Sequence, residues 1–422
     1  MGDPELGSPE SAGSPERRHD NDLGSQDRMT ETKHENHENH RPLSLPREIV
    51  FVAIVCNAQL LTQAGLGQAI APLHYIGRTF GLAETAPELS WFAAAYSLTV
   101  GTFILPAGRL GDIFGYRRMF MVGWSWYALW SLLAGLSIFT DQKFFDICRA
   151  FQGIGPAILL PNALAILGRT YPHGPRKDMI FSIFGATAPG GFLIGAVFAS
   201  IFAQLATWGW AFWTLTIYCA LLAGLTFLVI PEDDKVGPIS LENLDPYGTV
   251  TGVTGLILLN LAWNQAAIFG WPEPYTYVLL IVGILILVAF FYIETKVAKP
   301  LLAVKQFSSQ TLYVLACVAA GWAAFGIWVF YLWNILEVLR GVTPLLACAY
   351  YTPIGISGLC AAITTGFLLS RLPPSYIMLC SMTAFTVGSI LIATVPVDQN
   401  YWIQTFLAII IMPWGMASVL IL

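Results

Sequence analysis

The sequence predicts an all-α polytopic membrane protein, and two observations lead to this fold class. Hydrophobic residues make up 56% of the 422 residues, charged residues only 11%, and the mean hydropathy is +0.63, whereas soluble domains carry roughly 25% charged residues. The apolar residues also form runs long enough to cross a bilayer, which takes about 20 residues. This composition excludes a soluble enzyme, a disordered chain and, with seven cysteines, a secreted disulfide scaffold.

Twelve apolar runs follow a polar N-terminal segment. Residues 1–47 are rich in Pro, Gly, Ser, Glu and His, a composition that cannot form a core and predicts a disordered cytosolic tail. The rest of the chain is nearly neutral, so no nucleic-acid partner is expected. The predicted spans are 49–75, 90–109, 118–140, 144–167, 179–204, 209–230, 248–269, 276–294, 310–336, 344–370, 375–396 and 401–422.

The charges between the spans predict the orientation of the chain. With a cytosolic N-terminus the inner loops carry eleven Lys and Arg residues and the outer loops three, as the positive-inside rule requires. The long inner loop follows the sixth span and indicates a boundary. The predicted domains are a six-helix bundle (48–230), a cytosolic loop (231–247), two linker helices (248–296) and a partial bundle of four helices (297–422).

A charged, glycine-rich turn separates the second and third spans. Its three glycines allow a tight turn that approaches a neighbouring helix closely. Asp112 can pair with an Arg or accept hydrogen bonds from a helix N-terminus. The residues of this predicted gating loop are Gly108, Gly111, Asp112, Gly115, Arg117 and Arg118.

The fourth span contains two ionisable residues, Asp146 and Arg149. An Arg within a span costs at least about 2.5 kcal/mol on insertion scales, so it needs a function or a partner. The spacing of three residues places both side chains on one helix face. Two interpretations follow: a self-satisfied ion pair near the outer interface, or a pair that relays protons or is coupled to the substrate.

Small and amide-bearing residues mark other spans as candidate functional helices. In the fifth span, small residues around Pro189 indicate close helix packing. In the first span, amides share a face by helical spacing, which indicates either interhelical hydrogen bonds or a cavity wall. The residues of the fifth span are Gly185, Pro189, Gly190 and Gly191, and the candidate cavity residues are Gln59, Thr62, Gln63, Gln152, Asn264, Trp328, Tyr331 and Asn334.

These motifs resemble the major facilitator superfamily. The loop is similar to the family signature G-x-L-[GA]-D-[RK]-x-G-[RK]-[RK], with Ile113 in place of a basic residue, and the run from Arg149 to Ala157 is similar to the motif R-x-x-Q-G-x-G-A. The fifth span partly matches the antiporter motif G-x-x-x-[GA]-P-x-x-G-G. The first span is similar to the fungal fourteen-helix drug:proton antiporters, in the branch of the aminotriazole-resistance, boron-export and low-affinity ammonium transporters.

The resemblance implies two helical bundles with two inserted central helices, and a role for the loop in switching between inward- and outward-facing states. It also implies that Arg149 is linked to proton transfer. Many fourteen-helix antiporters carry an Asp in the first helix; this chain has none there, which leaves Asp146 as the titratable candidate. Two helices of the fourteen are absent, so the second bundle is expected to be incomplete and the chain truncated.

The expected function is secondary active export of drugs or other toxic small solutes by alternating access, with protons as the coupling ion. One alternative is an uncoupled facilitator for ammonium or borate, and another is a non-transporting or inactive truncated membrane protein. The chain lacks a phosphate-binding loop and a nucleophile elbow, so it is not expected to be an enzyme, and no cofactor or metal is expected. A monomer in contact with membrane lipid is expected, in the plasma membrane rather than the vacuolar membrane.

Overall fold

The structure is a computed structural model that describes residue 2 and residues 44–84, 86–172, 174–232, 245–297, 300–302, 304–369 and 371–421. These residues form helices joined by turns and include no strand. Most of the predicted tail and most of the loop 231–247 lie outside the described residues.

The first half of the chain contains six long helices. A short helix, Leu73–Thr79, follows the first of them. The first long helix ends at Ile70, earlier than the predicted end of the first span at residue 75. Pro72 follows two residues later, and proline has no backbone N–H to continue a helix. The six helices are α1 (Leu45–Ile70), α2 (Trp91–Phe114), α3 (Tyr116–Leu136), α4 (Gln142–Thr170), α5 (Pro175–Leu205) and α6 (Gly209–Val229).

Six more long helices follow, and two of them are irregular. They are α7 (Pro246–Phe269), α8 (Pro274–Glu294), α9 (Ser309–Asn334, continued by the π-helical turn Ile335–Leu339), α10 (Pro344–Tyr351 and Pro353–Leu369), α11 (Pro374–Ala393) and α12 (Gln404–Ile421). The break in α10 falls at Thr352, directly before Pro353, which has no backbone N–H to continue the helical hydrogen bonds.

Eleven of the described helices are long and apolar enough to cross a membrane, and the apolar part of α12, Gln404–Met416, is shorter. This finding confirms the polytopic all-α class. Consecutive helices that each cross a membrane run in opposite directions, so α1 would begin at one membrane face and end at the other. We call the first face the N side and the second the distal side.

The turn between α2 and α3 is narrower than the sequence predicts. The helix α2 continues to Phe114, so Gly108 and Gly111 are helical, and Gly115 alone makes the turn, with φ of 94°. Gly111 instead allows close packing, because a Cβ there would overlap the side-chain oxygen of Asn162 on α4. The glycines therefore have two different roles, and the spacing could not separate them.

Helix packing divides the molecule into recognisable groups. Helices α2, α3, α4 and α6 pack on one another, and α9, α10, α11 and α12 do the same. Helices α7 and α8 form a hairpin that contacts α2, and α5 joins the two groups by packing on α10 and α12. The distal ends of α1 and α5 share an apolar cluster with α9, α10, α11 and α12.

Candidate functional site

Arg149 is the centre of a buried polar network in the first half of the chain. Its side chain is completely buried. It donates hydrogen bonds to the carbonyl oxygens of Phe92 (2.8 Å) and Gly65 (2.8 Å) and to Gln152 Oε1 (2.6 Å). The guanidinium also lies 4.5 Å from the centroid of the Tyr96 ring, a favourable cation–π distance. One side chain thus joins α1, α2 and α4.

Tyrosines and glycines complete this network. Tyr96 and Tyr127 donate to the carbonyl oxygens of Thr62 and Leu61 on α1, each at 2.8 Å, and Gln152 donates to Ser131 at 2.7 Å. A Cβ at Gly65 would overlap both tyrosine hydroxyls. Most hydrogen bonds of this network run from a side chain on one helix to a backbone carbonyl oxygen on another, which requires the helices to pack closely.

Asp146 does not form the ion pair with Arg149 that the spacing allows. Their charged atoms are not within 4 Å, because Arg149 reaches toward α1 and α2 instead. Asp146 Oδ2 accepts a hydrogen bond from Gln142 Nε2 at 3.3 Å. Its Oδ1 is buried and has no hydrogen-bond partner in the described part of the chain. The self-satisfied pair is thus corrected: Arg149 is satisfied by other groups, and Asp146 is left with a free acceptor.

The charged turn after α2 is held by contacts on several helices. Asp112 accepts from the Tyr116 hydroxyl and lies 3.7 Å from Arg109. Arg169 of α4 donates to the same hydroxyl at 3.1 Å and covers the Tyr116 ring. Arg117 bonds the Phe227 carbonyl oxygen and Glu232, whereas Arg118 is exposed. The turn is thereby fixed to α4 and α6.

The fifth helix packs on α1 through part of its predicted motif. A Cβ at Gly191 would overlap the carbonyl oxygen of Leu60. Gly185 and Gly190, by contrast, have open space where a Cβ would be. Pro189 lies near Gly358 of α10. The motif therefore separates into one position that contacts α1 and others that face away from it.

A cavity of about 740 Å³ lies in the half of the molecule nearest the N side. Its wall is mainly apolar, with small residues from α5, α10 and α12, and the polar groups of Gln59, Ser182, Lys177 and Asp178. The lining residues are Gln59, Ile104, Leu160, Leu164, Lys177, Asp178, Phe181, Ser182, Phe184, Gly185, Ala186, Pro189, Gly358, Ala362, Gly366, Pro413 and Met416. Pockets of this size and apolar character suit drug-sized molecules.

Of the eight residues predicted to line a cavity, Gln59 lies in the wall of this cavity and the other seven lie elsewhere. Thr62 donates to the Ala58 carbonyl oxygen, and Gln152 belongs to the Arg149 network. Asn264 is hydrogen-bonded to Asn260, and Asn334 donates to the Phe330 carbonyl oxygen. Trp328 is buried, Gln63 is half-buried and Tyr331 is exposed. Helical spacing gave a shared face but could not show which face meets the cavity.

The distal half is closed by an aromatic cluster, which we call the distal seal and define as Phe192, Trp328, Trp333 and Tyr351. Phe192 of α5 lies 5.3 Å from Tyr351 and 6.4 Å from Trp333, between ring centroids. Beside it, Ser200 Oγ and Cys348 Sγ are 3.4 Å apart. All four rings are buried. The distal seal thus fills the space between α5, α9 and α10 with packed rings.

Sequence reasoning missed one residue next to this seal. Glu337 lies in the π-helical turn that ends α9, and its Oε1 is buried without a hydrogen-bond partner among the described residues. Arg78 and Cys348 are its electrostatic neighbours. Arg78 also bonds Glu84 in the distal loop and holds the pKa of that carboxyl below its usual value. The available signal was a lone acidic residue at the end of an apolar run, a functional indicator in membrane helices.

The family follows from comparison with known proteins. A model described as the Major Facilitator Superfamily matches residues 55–422. The chain belongs to the major facilitator superfamily. It is therefore a membrane transporter and not an enzyme, as the motifs predicted.

The named relatives of this transporter include an ammonium transporter and an efflux pump. It is 61% identical over 384 residues to the "Low affinity ammonium transporter" of Saccharomyces cerevisiae, covering 90% of this chain and 74% of the relative. It is 46% identical over 387 residues to the "Efflux pump terJ" of Aspergillus terreus, covering 91% and 75%. The predicted fungal branch is thus confirmed.

A solved structure supports the same fold. The crystal structure of a POT family transporter in complex with a thioalcohol-conjugated peptide has a TM-score of 0.65. It is 16% identical and covers 89% of this chain and 82% of that one. This comparison shows the major facilitator fold for the transporter.

Proposed function

We propose that the transporter exports an amphipathic, drug-sized solute by alternating access. The N-side cavity would bind the solute from the cytosol, and opening of the distal seal would release it on the other side. The observation that carries this proposal is the 740 Å³ cavity bounded by both helix groups, with closed aromatic packing on the distal side. The cytosolic assignment of the N side rests on the eleven positive charges predicted for its loops.

The chemistry of the wall favours an amphipathic solute over a small polar one. Most of the lining is aliphatic, aromatic or glycine, and the charged pair Lys177 and Asp178 lies at the N-side start of α5. Ammonium or borate would lose its hydration in such a wall, and the few polar groups there would replace only part of the lost hydrogen bonds, at a cost of several kcal/mol. Gln59 would orient a polar group of a larger molecule.

The second candidate is an uncoupled facilitator for ammonium. One observation favours it: the 61% identical relative is named an ammonium transporter. The efflux-pump relative favours the first candidate.

We also propose proton coupling through Asp146. Its buried, unpartnered Oδ1 can take up a proton, and Arg149 lies one helical turn away as the nearby positive charge. Uptake of a proton from the distal side would change the field around Arg149 and weaken the packing of α4 on α1 and α2.

A cavity-filling variant tests the proposed substrate. In proteoliposomes, Gly366→Trp adds a large ring at a glycine that lines the cavity and where a Cβ would meet open space. Gly224→Trp is the matched control, since Gly224 also has open space but does not line the cavity. We expect Gly366→Trp to raise the KM for an amphipathic dye at least fivefold and Gly224→Trp to leave it unchanged. A methylammonium flux that exceeds the dye flux and is unchanged in both variants would overturn the proposal in favour of the facilitator.

A further inference from the structure

Two buried carboxyl groups meet at the N-side end of the α7–α8 hairpin. Asp245 caps α7, and its Oδ1 accepts a hydrogen bond from the Gly248 amide at 2.8 Å. Glu294 is the last residue of α8, and its Oε2 accepts from the Leu302 amide at 3.0 Å. The two residues are only 4% and 3% exposed.

The second oxygen of each carboxyl group has no hydrogen-bond partner in the described ranges: these are Asp245 Oδ2 and Glu294 Oε1. Both face the same point above Gly248. A Cβ at that glycine would lie 2.6 Å from Glu294 Oε1 and closer still to Asp245 Oδ2. The two oxygens are thus no farther apart than the sum of these two distances, and the glycine provides the space in which they meet.

Two ionised carboxylates are unfavourable in this arrangement. Their like charges repel, and each buried oxygen would lack a donor. Asp245 is the N-cap of α7, at the helix end that carries the positive partial charge of the dipole. A proton on Glu294 would supply the missing donor.

We propose that Glu294 and Asp245 form a proton-binding site, in which Glu294 Oε1 carries the proton and donates a hydrogen bond to Asp245 Oδ2. One proton leaves the pair with a single negative charge. Arg109 of α2, the other charged group that acts on Glu294, balances that charge. The described residues include no cluster of three His, Cys, Asp or Glu that could hold a metal ion.

Through this site, the pH at the N side would control how firmly the segment before α9 is held. Glu294 holds the Leu302 amide, and Arg109 donates to the Pro300 carbonyl oxygen. Arg109 in turn lies near Asp112 of the gating turn. Loss of the proton would separate the two carboxylates and loosen this segment from α2, on the side where the cavity lies. This site is distinct from Asp146 and is independent of the transported solute.

Infrared difference spectroscopy on the full chain in lipid tests the site directly. A protonated carboxyl group gives a carbonyl stretch that an ionised group lacks. We expect the wild-type band to decrease as pH rises, and a wild-type minus Glu294→Gln spectrum to contain one carboxyl band. Glu273→Gln is the control, because Glu273 is an exposed acid at the other end of the same hairpin. Its spectrum should match the wild type.

Asp245→Asn provides an independent readout if Glu294→Gln fails to fold, since Asn is also a good helix cap. We expect the Glu294 band to shift in this variant, because its acceptor changes from carboxylate to amide. An unchanged band in Asp245→Asn, or a band that persists in Glu294→Gln, would overturn the proposal. Loss of the wild-type band on addition of K⁺, Mg²⁺ or Ca²⁺ at constant pH would overturn it in favour of a cation site.

Discussion

At the scale of single residues, Arg149 of α4 shows how the partners around a buried charge determine its role. An arginine in a membrane is expensive unless its donors are satisfied, and Arg149 satisfies them with two backbone carbonyl oxygens and one amide. Two of these partners belong to other helices, so the side chain acts as a structural junction as well as a charge.

We expect Arg149→Lys to destabilise the transporter by at least about 2 kcal/mol. An ammonium group lacks the planar fork that reaches three acceptors, and hydrogen bonds to charged groups contribute about 1.5–3 kcal/mol each. Thermal unfolding in detergent measures the effect. Arg118→Lys is the control, since Arg118 is exposed. Equal stability of the two variants would contradict the structural role of Arg149 as a junction between helices.

We expect Asp146→Asn to abolish the dependence of export on the pH gradient, because an amide cannot take up a proton. Dye export in proteoliposomes, with and without an imposed gradient, measures this change. Glu337→Gln is the comparison, because Glu337 also has a buried carboxyl oxygen with no hydrogen-bond partner among the described residues. Retained gradient dependence in Asp146→Asn, with its loss in Glu337→Gln, would assign coupling to Glu337.

The sequence predicted the identity of these groups better than their partners. Ionisable residues inside apolar runs stand out by composition, and that is how Asp146 and Arg149 were found. Their contacts depend on where α1 and α2 lie in space, and a three-residue spacing on α4 holds no information about those helices. For that reason the ion pair was expected and the backbone partners were not.

At the scale of helices, the contact between α1 and α5 depends on which glycine faces the neighbour. Residues 190 and 191 differ by about 100° around the helix. The motif flagged both glycines, but Gly191 alone meets the Leu60 backbone. Sequence patterns therefore located the helix of interest and left its orientation undetermined.

We expect Gly191→Ala to destabilise the transporter by about 1–3 kcal/mol through overpacking. Gly190→Ala should have no cost, or a gain of up to about 1 kcal/mol, because alanine favours a helix and the space is open. The two melting temperatures in detergent give the answer, and the same sign of change in both would contradict the assigned orientation.

At the scale of the whole molecule, apolar patterning was sufficient to predict the all-α polytopic fold class, although eleven of the twelve predicted spans correspond to described helices long and apolar enough to cross a membrane. The direction in which the cavity faces was not predictable, because the same helices can pack with either side closed. That choice depends on contacts between distant segments, such as Phe192 of α5 with Tyr351 of α10.

A disulfide across the distal side tests the closed state. In Ser200→Cys, the new thiol would lie next to native Cys348, since the present Oγ–Sγ separation is 3.4 Å. We expect mild oxidation to block transport by at least tenfold and a reductant to restore it. Ser200→Cys with Cys348→Ala should keep its activity under oxidation. Full transport by the oxidised single variant would contradict alternating access through this seal.

The distal seal also has a thermal consequence. Its rings are buried against one another, so opening it would hydrate apolar surface and raise the heat capacity. The free energy of opening therefore varies with temperature along a curve, and cooling weakens the hydrophobic contacts that keep the seal shut. An Arrhenius plot of turnover should bend, and the resting population should move toward the distal-open form in the cold.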